Sequence, residues 1–254
     1  MHILLTNDDG IGSQNLAVLC AAAAARAHRV TVSAPSNQQS ARSHAFTLSE
    51  PLSVRPASMP GAAKAWAVGG TPVDSCRLGI MNLAEGRPDL VISGINEGYN
   101  TGTAVYVSGT VGAAREAAFQ GIPAIAASLE VGAPEETLRW FADWVVVLGE
   151  QLMVQGMLPL SVCSVNCPPL PLAQLKPPVL CPLNPQIYRD GYEERVNPRG
   201  GRYFWLGPEL PQEEPVPGTD VALLREGHVT VTFLCPAMGA GVPIKDFEKI
   251  LEKM

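Results

Sequence analysis

Short polar clusters in the first half of the chain carry the residue types from which a phosphate-handling site can be built. Asn7-Asp8-Asp9-Gly10 puts two adjacent carboxylates directly after the apolar run Ile3-Leu4-Leu5. Gln38-Gln39-Ser40 follows Val30-Thr31-Val32-Ser33-Ala34, and Asn96-Glu97-Gly98-Tyr99-Asn100 follows Leu90-Val91-Ile92-Ser93. Asp8 and Asp9 have little positive charge nearby: after His2 the next basic side chain is Arg26. Packed together without a counter-ion, they would repel and shift toward protonation. A Mg²⁺ or Mn²⁺ ion would remove that penalty, because hard cations take carboxylate, amide and hydroxyl oxygens. The plainer alternative is that Asp8 or Asp9 only caps the helix that starts near Gly12. The two other clusters weigh toward the cation site.

Val107-Ser108-Gly109-Thr110-Val111 carries a second signal. Small residues and two hydroxyls open a helix whose first backbone N–H groups are free, which is a ready anion site. Simple N-capping by Ser108 or Thr110 is the competing reading. A cation site and an anion site on one edge describe a phosphate ester held from two sides, as phosphoryl transfer requires. Of the four histidines, His44 alone lies near these segments; packing, a phosphate contact and proton transfer all remain open for it. A P-loop NTPase is unsupported because no G-x-x-x-x-G-K-[ST] occurs. A dinucleotide fold is disfavoured as well: Gly10-Ile11-Gly12-Ser13-Gln14-Asn15 ends on Asn, two carboxylates occupy the pyrophosphate approach, and no acid ends the second strand.

The elements that must position these clusters read as strand and helix in alternation. Ile3 to Leu5, Val30 to Ala34, Leu90 to Ser93, Ala124 to Ala127 and Leu160 to Val165 are short runs of apolar residues broken only by Ser or Thr, as expected of strands covered on both faces. Leu16 to Ala27, Val111 to Gln120 and Leu138 to Leu152 read as helices, the second closed by Gly121. Together they predict an α/β fold, a doubly wound, mostly parallel sheet in which the loops after successive strands share one edge. His228 to Leu234 alternates and reads as a late strand or part of a hairpin. Charge concentrates in the second half. Gln186 to Glu226 interleaves charged residues with Gly and Pro and reads as an exposed arm, and Lys245 to Lys253 as a short surface helix.

Composition sets the outer limits. Hydrophobic residues make up 46% and charged residues 17%, so a sizeable core is available and disorder is not expected. The longest apolar run, Leu16 to Ala25, is too short for a membrane span, and Asp8 and Asp9 interrupt any signal-peptide reading of the N-terminus. A soluble, cytoplasmic protein is expected. The six cysteines lack C-x-x-C spacing and nearby histidines, which favours reduced, packed thiols over a zinc site. A net charge of −6 argues against binding nucleic-acid polymers but not against a small phosphorylated ligand.

At these residues the chain resembles the SurE family, the survival protein E nucleotidases. The resemblance is carried by Ile3-Leu4-Leu5-Thr6-Asn7-Asp8-Asp9-Gly10-Ile11, by Ala34-Pro35 through Gln39-Ser40, and by Gly70-Thr71-Pro72-Val73-Asp74-Ser75-Cys76. Ser93-Gly94-Ile95-Asn96-Glu97-Gly98-Tyr99-Asn100-Thr101-Gly102, continuing to Ser108-Gly109-Thr110-Val111-Gly112-Ala113-Ala114, completes it. A weaker likeness follows at Gly218-Thr219-Asp220. It implies a Rossmann-like core over residues 1–185 and a C-terminal arm, hairpin and terminal helix over 186–254. That extension would pack on the core or a neighbouring subunit and be used in oligomerisation.

The activity implied is hydrolysis of nucleoside 5′- and 3′-monophosphates, with short polyphosphate as a further substrate, by homodimers or homotetramers that hold one Mn²⁺ or Mg²⁺ per subunit. The resemblance assigns the metal to Asp8, Asp9, Ser40 and Asn96, and phosphate or substrate binding to Asn100, Ser108, Gly109, Thr110 and His44. Asp8 and Asp9 are also the expected catalytic carboxylates. Thr71 and Asp74 are expected to be structural supports. The sequence departs from the family pattern at Arg42, at Gln14-Asn15, and at Tyr106-Val107 before Ser108. Two rivals remain: a nucleotide-binding stress-response assembly protein without turnover, and a metal-dependent glycosyltransferase, for which no acceptor domain is evident.

Overall fold

The computed structural model describes residues 1–185, 191–207 and 214–235. In chain order the elements are β1 (His2–Thr6), α1 (Gln14–Ala25), β2 (Arg29–Pro35), β3 (Ser53–Ala57), β4 (Lys64–Gly69) and α2 (Pro72–Leu78). Then come β5 (Leu90–Glu97), α3 (Gly109–Phe119), β6 (Ala124–Leu129), α4 (Glu135–Gln155), β7 (Val162–Cys167), β8 (Lys176–Leu180), β9 (Tyr192–Val196), β10 (Arg202–Leu206), α5 (Asp220–Arg225) and β11 (His228–Leu234). Short helical turns at Gly79–Leu83 and Gly102–Tyr106 lead away from α2 and into α3.

Among the described residues the main sheet has nine strands in the order β3-β4-β2-β1-β5-β6-β7-β11-β8. From β4 to β7 every neighbouring pair is parallel. Antiparallel pairs appear only where β3 joins β4 and β11 joins β7. The α/β reading is therefore correct, and its doubly wound character has a physical basis in the strands themselves. Ile3 and Leu5 pack with α1 and α4 around Phe141, while Leu4, between them, packs against Val91, Val111 and Ala114 under α2 and α3. Alternate residues of one strand thus feed two cores, which is why β1 is apolar throughout.

β1 lies between β2 and β5, and the chain builds the sheet outward first on one side of it and then on the other. The crevice between the carboxyl ends of β1 and β5 is the topological switch point, where open α/β sheets bind ligands. Asp8 and Asp9 leave β1 there, and Asn96 stands at the end of β5.

Beyond residue 185 the chain does two different things. Among the described residues β9 and β10 pair only with each other, and all ten of their residues are exposed, Tyr192, Phe204 and Trp205 included. α5 and β11 return to the core sheet, where β11 fills the place between β7 and β8. The helix expected over Lys245 to Lys253 lies outside the described residues. Cys20, Cys76, Cys163, Cys167 and Cys181 are buried, unpaired thiols, and Cys235 is exposed and free. Among the described residues no helix is long and apolar enough to cross a membrane.

Candidate functional site

The acidic turn is rigid because Asn7 closes it. Asn7 Nδ2 donates to Gly10 O and Gly10 N–H donates back to Asn7 Oδ1, both at 3.1 Å. Gly10 has φ +98°, and a Cβ there would come within 3.2 Å of the Asn37 and Pro35 backbone, so the position needs glycine twice over. This turn points Asp8 and Asp9 off the end of β1. The cap of α1 is Ser13, whose hydroxyl accepts from Leu16 N–H. The competing reading, in which an aspartate caps that helix, is thereby set aside.

Asp8 meets a different helix. Its carboxylate Oδ1 accepts from the Thr110 hydroxyl, and the Thr110 backbone N–H also favours its ionised form. An added Cβ at Gly109 would lie 3.0 Å from Asp8 Oδ2, so the first residue of α3 is pressed against the acid. A carboxylate at a helix N-terminus is electrostatically favoured. Burial still dominates and pushes the Asp8 carboxyl above its ordinary range. Asp9 is raised to about 7, first by burial and then by the neighbouring Asp8 charge. Among the described residues no Lys, Arg or His pairs with either.

Two further clusters arrive at the same edge. Gln39 N–H donates to Asp8 O at 2.7 Å, which fixes the loop that presents the exposed Ser40. Glu97 N–H donates to Asp9 Oδ2 at 3.4 Å, beside Asn96. The Asn96 amide nitrogen is turned back to Gly98 O at 2.8 Å, leaving its carbonyl oxygen for other use. No three His, Cys, Asp or Glu side chains among the described residues are arranged to hold a metal. The acidic edge instead offers two carboxylates with an amide and a hydroxyl, an all-oxygen set suited to a hard cation. The unpaired buried charge is the observation such a cation fits.

On the anion side, Ser108 caps α3 by accepting from Val111 N–H at 3.1 Å. Asn100 is buried and tied at three points: its N–H donates to Asn166 Oδ1 at 2.8 Å, its carbonyl accepts from Asn166 Nδ2 at 3.1 Å, and its Nδ2 donates to Ser128 Oγ at 2.8 Å. Sequence reasoning did not find Ser128 or Asn166. Each is a polar residue within a largely apolar strand, and only the strand order brings them beside Asn100.

His44, expected at the phosphate, is engaged by side chains of α3. Its Nε2 is bonded to Glu116 Oε2 at 3.0 Å and its ring stacks on Phe119 at 5.4 Å, both in the second half of α3. Glu116 also receives Arg77 at 2.7 Å and Gln120 at 2.9 Å, so this buried acid is shared by three side chains. Arg42 donates to the Gln39 side chain at 3.0 Å, on the rim of a polar cavity of about 420 Å³ that Asn37, Glu50 and Thr71 also line. Thr71 and Asp74 form a reciprocal capping box at the start of α2, and Asp74 additionally holds Thr47 through its N–H and hydroxyl. Both are supports, as their sequence context suggested.

Comparison with known proteins adds an independent line. The chain is 40% identical over 252 residues to a protein of Synechococcus sp. (strain JA-3-3Ab) named 5′-nucleotidase SurE, covering 98% of this chain and 97% of that one. It is 41% identical over 232 residues to the 5′-nucleotidase SurE of Nitratidesulfovibrio vulgaris (strain DP4), covering 91% and 92%. Its fold superposes on the crystal structure of the SurE protein from Aquifex aeolicus with a TM-score of 0.80 at 30% identity, over 100% of this chain and 99% of that one. The family model described as Survival protein SurE matches residues 3–190, a span that holds the acidic turn, the β5 loop and the start of α3. On that match and these relatives together, the chain belongs to the SurE family.

Proposed function

We propose that the protein is a divalent-metal-dependent phosphomonoesterase that hydrolyses nucleoside 5′-monophosphates to nucleoside and inorganic phosphate. The observation that carries this reading is the Asp8–Asp9 pair, without a cationic partner among the described residues: Asp8 is buried against the N-terminus of α3 at the switch point and Asp9 is half-buried beside it. The names of the relatives support the substrate class. Nucleoside 3′-monophosphates and short polyphosphate present the same terminal phosphate and belong to the proposal as secondary substrates.

Asp8, Asp9, Ser40 and Asn96 would hold one Mn²⁺ or Mg²⁺. When bound, such a cation supplies charge neutralisation at the phosphate and acidifies water. The chain's own residues do the rest. Asp9 or Asp8 orients the attacking water and takes its proton, while Asn100 and the Ser108-Gly109-Thr110 segment stabilise charge on the equatorial phosphate oxygens. The runner-up chemistry is an aspartyl-phosphate intermediate. Rapid-quench labelling with ³²P substrate separates the two, since a hydroxylamine-sensitive protein adduct would sink direct attack by water.

Release of phosphate from AMP or GMP with Mn²⁺, and its loss in EDTA, tests the whole reading. A protein that binds nucleotide without releasing phosphate would instead be the non-catalytic assembly protein. Oligomerisation is part of the proposal. The β9–β10 hairpin exposes apolar residues on a two-stranded ribbon that is marginal alone, and a second subunit would cover it. Deleting residues 191–207 should lower the molar mass measured by light scattering.

A further inference from the structure

Asn100 leaves the end of β5 and is caught by side chains from the next two strands. Asn166, 3% exposed on β7, spends both ends of its amide on the Asn100 backbone, accepting the N–H at 2.8 Å and donating to the carbonyl at 3.1 Å. Ser128 on β6, 1% exposed, accepts from Asn100 Nδ2 at 2.8 Å. Asn96, Ser128 and Asn166 are register partners across β5, β6 and β7, so one transverse row joins a candidate metal ligand to both supports of Asn100.

An amide buried in a strand costs free energy unless its groups are satisfied, and Asn166 satisfies them on a loop rather than on its own sheet. The result is a loop held like an added piece of ladder. With N–H, carbonyl and one amide hydrogen engaged, the orientation of Asn100 is fixed and its second amide hydrogen is left to donate. Two residues on, Gly102 N–H is held by the buried Asp220 at 2.8 Å, so the loop is fastened again before it turns into α3.

We propose that Asn166, with Ser128, is a positioning residue for the phosphate side of the site, acting through Asn100 and touching no substrate itself. This rests on Asn100 being a phosphate-binding residue of a phosphomonoesterase. Preorganised donors stabilise developing charge only when they are already in place, and a displacement of about 1 Å can cost roughly a hundredfold in rate.

The test uses the full chain with Mn²⁺, AMP as substrate and inorganic phosphate as competitive inhibitor. Asn166→Ala is expected to lower kcat about ten- to a hundredfold and to weaken inhibition by phosphate, at temperatures well below its melting point. Ser128→Ala should lose activity as well and Ser128→Thr should recover it. In an Asn100→Ala background the Ser128→Ala loss should largely vanish, since the two act as one unit. Wild-type kcat and phosphate inhibition in folded Asn166→Ala would overturn the proposal, as would an undiminished Ser128→Ala loss in the Asn100→Ala background. Should Asn166→Ala not fold, the Ser128 variants decide. Should wild type release no phosphate from AMP, the enzymatic reading fails, and the positioning claim is then judged by melting shifts. A phosphate-induced rise seen in wild type and equally in both alanine variants would overturn it.

Discussion

Thr110 donates its hydroxyl to Oδ1 of Asp8 and so joins the start of α3 to the end of β1 across 102 residues of sequence. The bond serves a carboxylate that burial already pushes toward protonation. Thr110→Val keeps the shape and removes the donor. It should cost about 1–3 kcal/mol, the usual loss when a buried charged acceptor is left short of a partner. Thr110→Ser should stay near wild type. Chemical denaturation in metal-free buffer checks both.

The unpaired acids make a second expectation. Mn²⁺ that binds only the folded protein should stabilise it by about 2.7 kcal/mol at a hundred times its dissociation constant. Asp8→Asn and Asp9→Asn should lose that stabilisation together with phosphate release. In EDTA, Asp9→Asn should melt no lower than wild type, because it removes a like charge beside Asp8. Melting curves with and without metal are sufficient, and an equal metal-induced rise in all three proteins would contradict the site.

Acid sensitivity should centre on Glu116. Burial by itself raises this carboxyl, but hydrogen bonds from His44 and Gln120 and the Arg77 charge outweigh it and hold the group below its ordinary 4.5. A carboxyl with a depressed folded value contributes stability above the unfolded value and loses it as pH falls through the folded one. The stability difference between wild type and Glu116→Gln should therefore be full near neutrality and shrink below about pH 4.5. Urea titrations across that range measure it.

Two glycines of α3 should reverse the usual helix rule, by which Gly→Ala gains about 1 kcal/mol. At Gly112 a Cβ would stand 2.1 Å from Ser43 O, so Gly112→Ala should displace the loop of residues 41–44 and destabilise by about 1–3 kcal/mol. At Gly109 the clash is with Asp8 and Pro72, at 3.0 and 3.1 Å. Gly109→Ala should cost activity more than stability, because the neighbours need yield only a few tenths of an ångström. Parallel assays of phosphate release and unfolding separate the two effects.

The central strands were legible because both their faces are covered: β1, β5 and β6 appear in the sequence as short, mostly apolar runs, and β2 as Val30, Val32 and Ala34 interleaved with the small hydroxyls Thr31 and Ser33. β3, β4 and β8 were not. Ser53–Ala57 contains Arg55 and Pro56, and Lys176–Leu180 contains two prolines, so both look like loop and become strands only through a neighbour's ladder. α4 was foreseen over Leu138 to Leu152 and runs from Glu135 to Gln155, its extra first turn beginning with two acids that suit a helix N-terminus. The acidic turn and the start of α3 could be read from residue type. The partners of His44 and Asn100 could not, since a side chain's direction depends on which helix or strand lies across from it. Glu116, Ser128 and Asn166 carry no local signal of that role.

The two sides of the site also differ in when they can exist. Asp8, Asp9, Ser40 and Asn96 all lie within the first hundred residues, whereas Asn100 waits for Asn166, and Gly102 waits for Asp220, 118 residues further on. In N-to-C order the residues of the proposed cation side are thus all synthesised before Asn166 and Asp220, the supports of the proposed phosphate side. A chain that ended before Asn166 would keep both acids and lack the side chain that holds Asn100, so truncation separates the two sides of the candidate site.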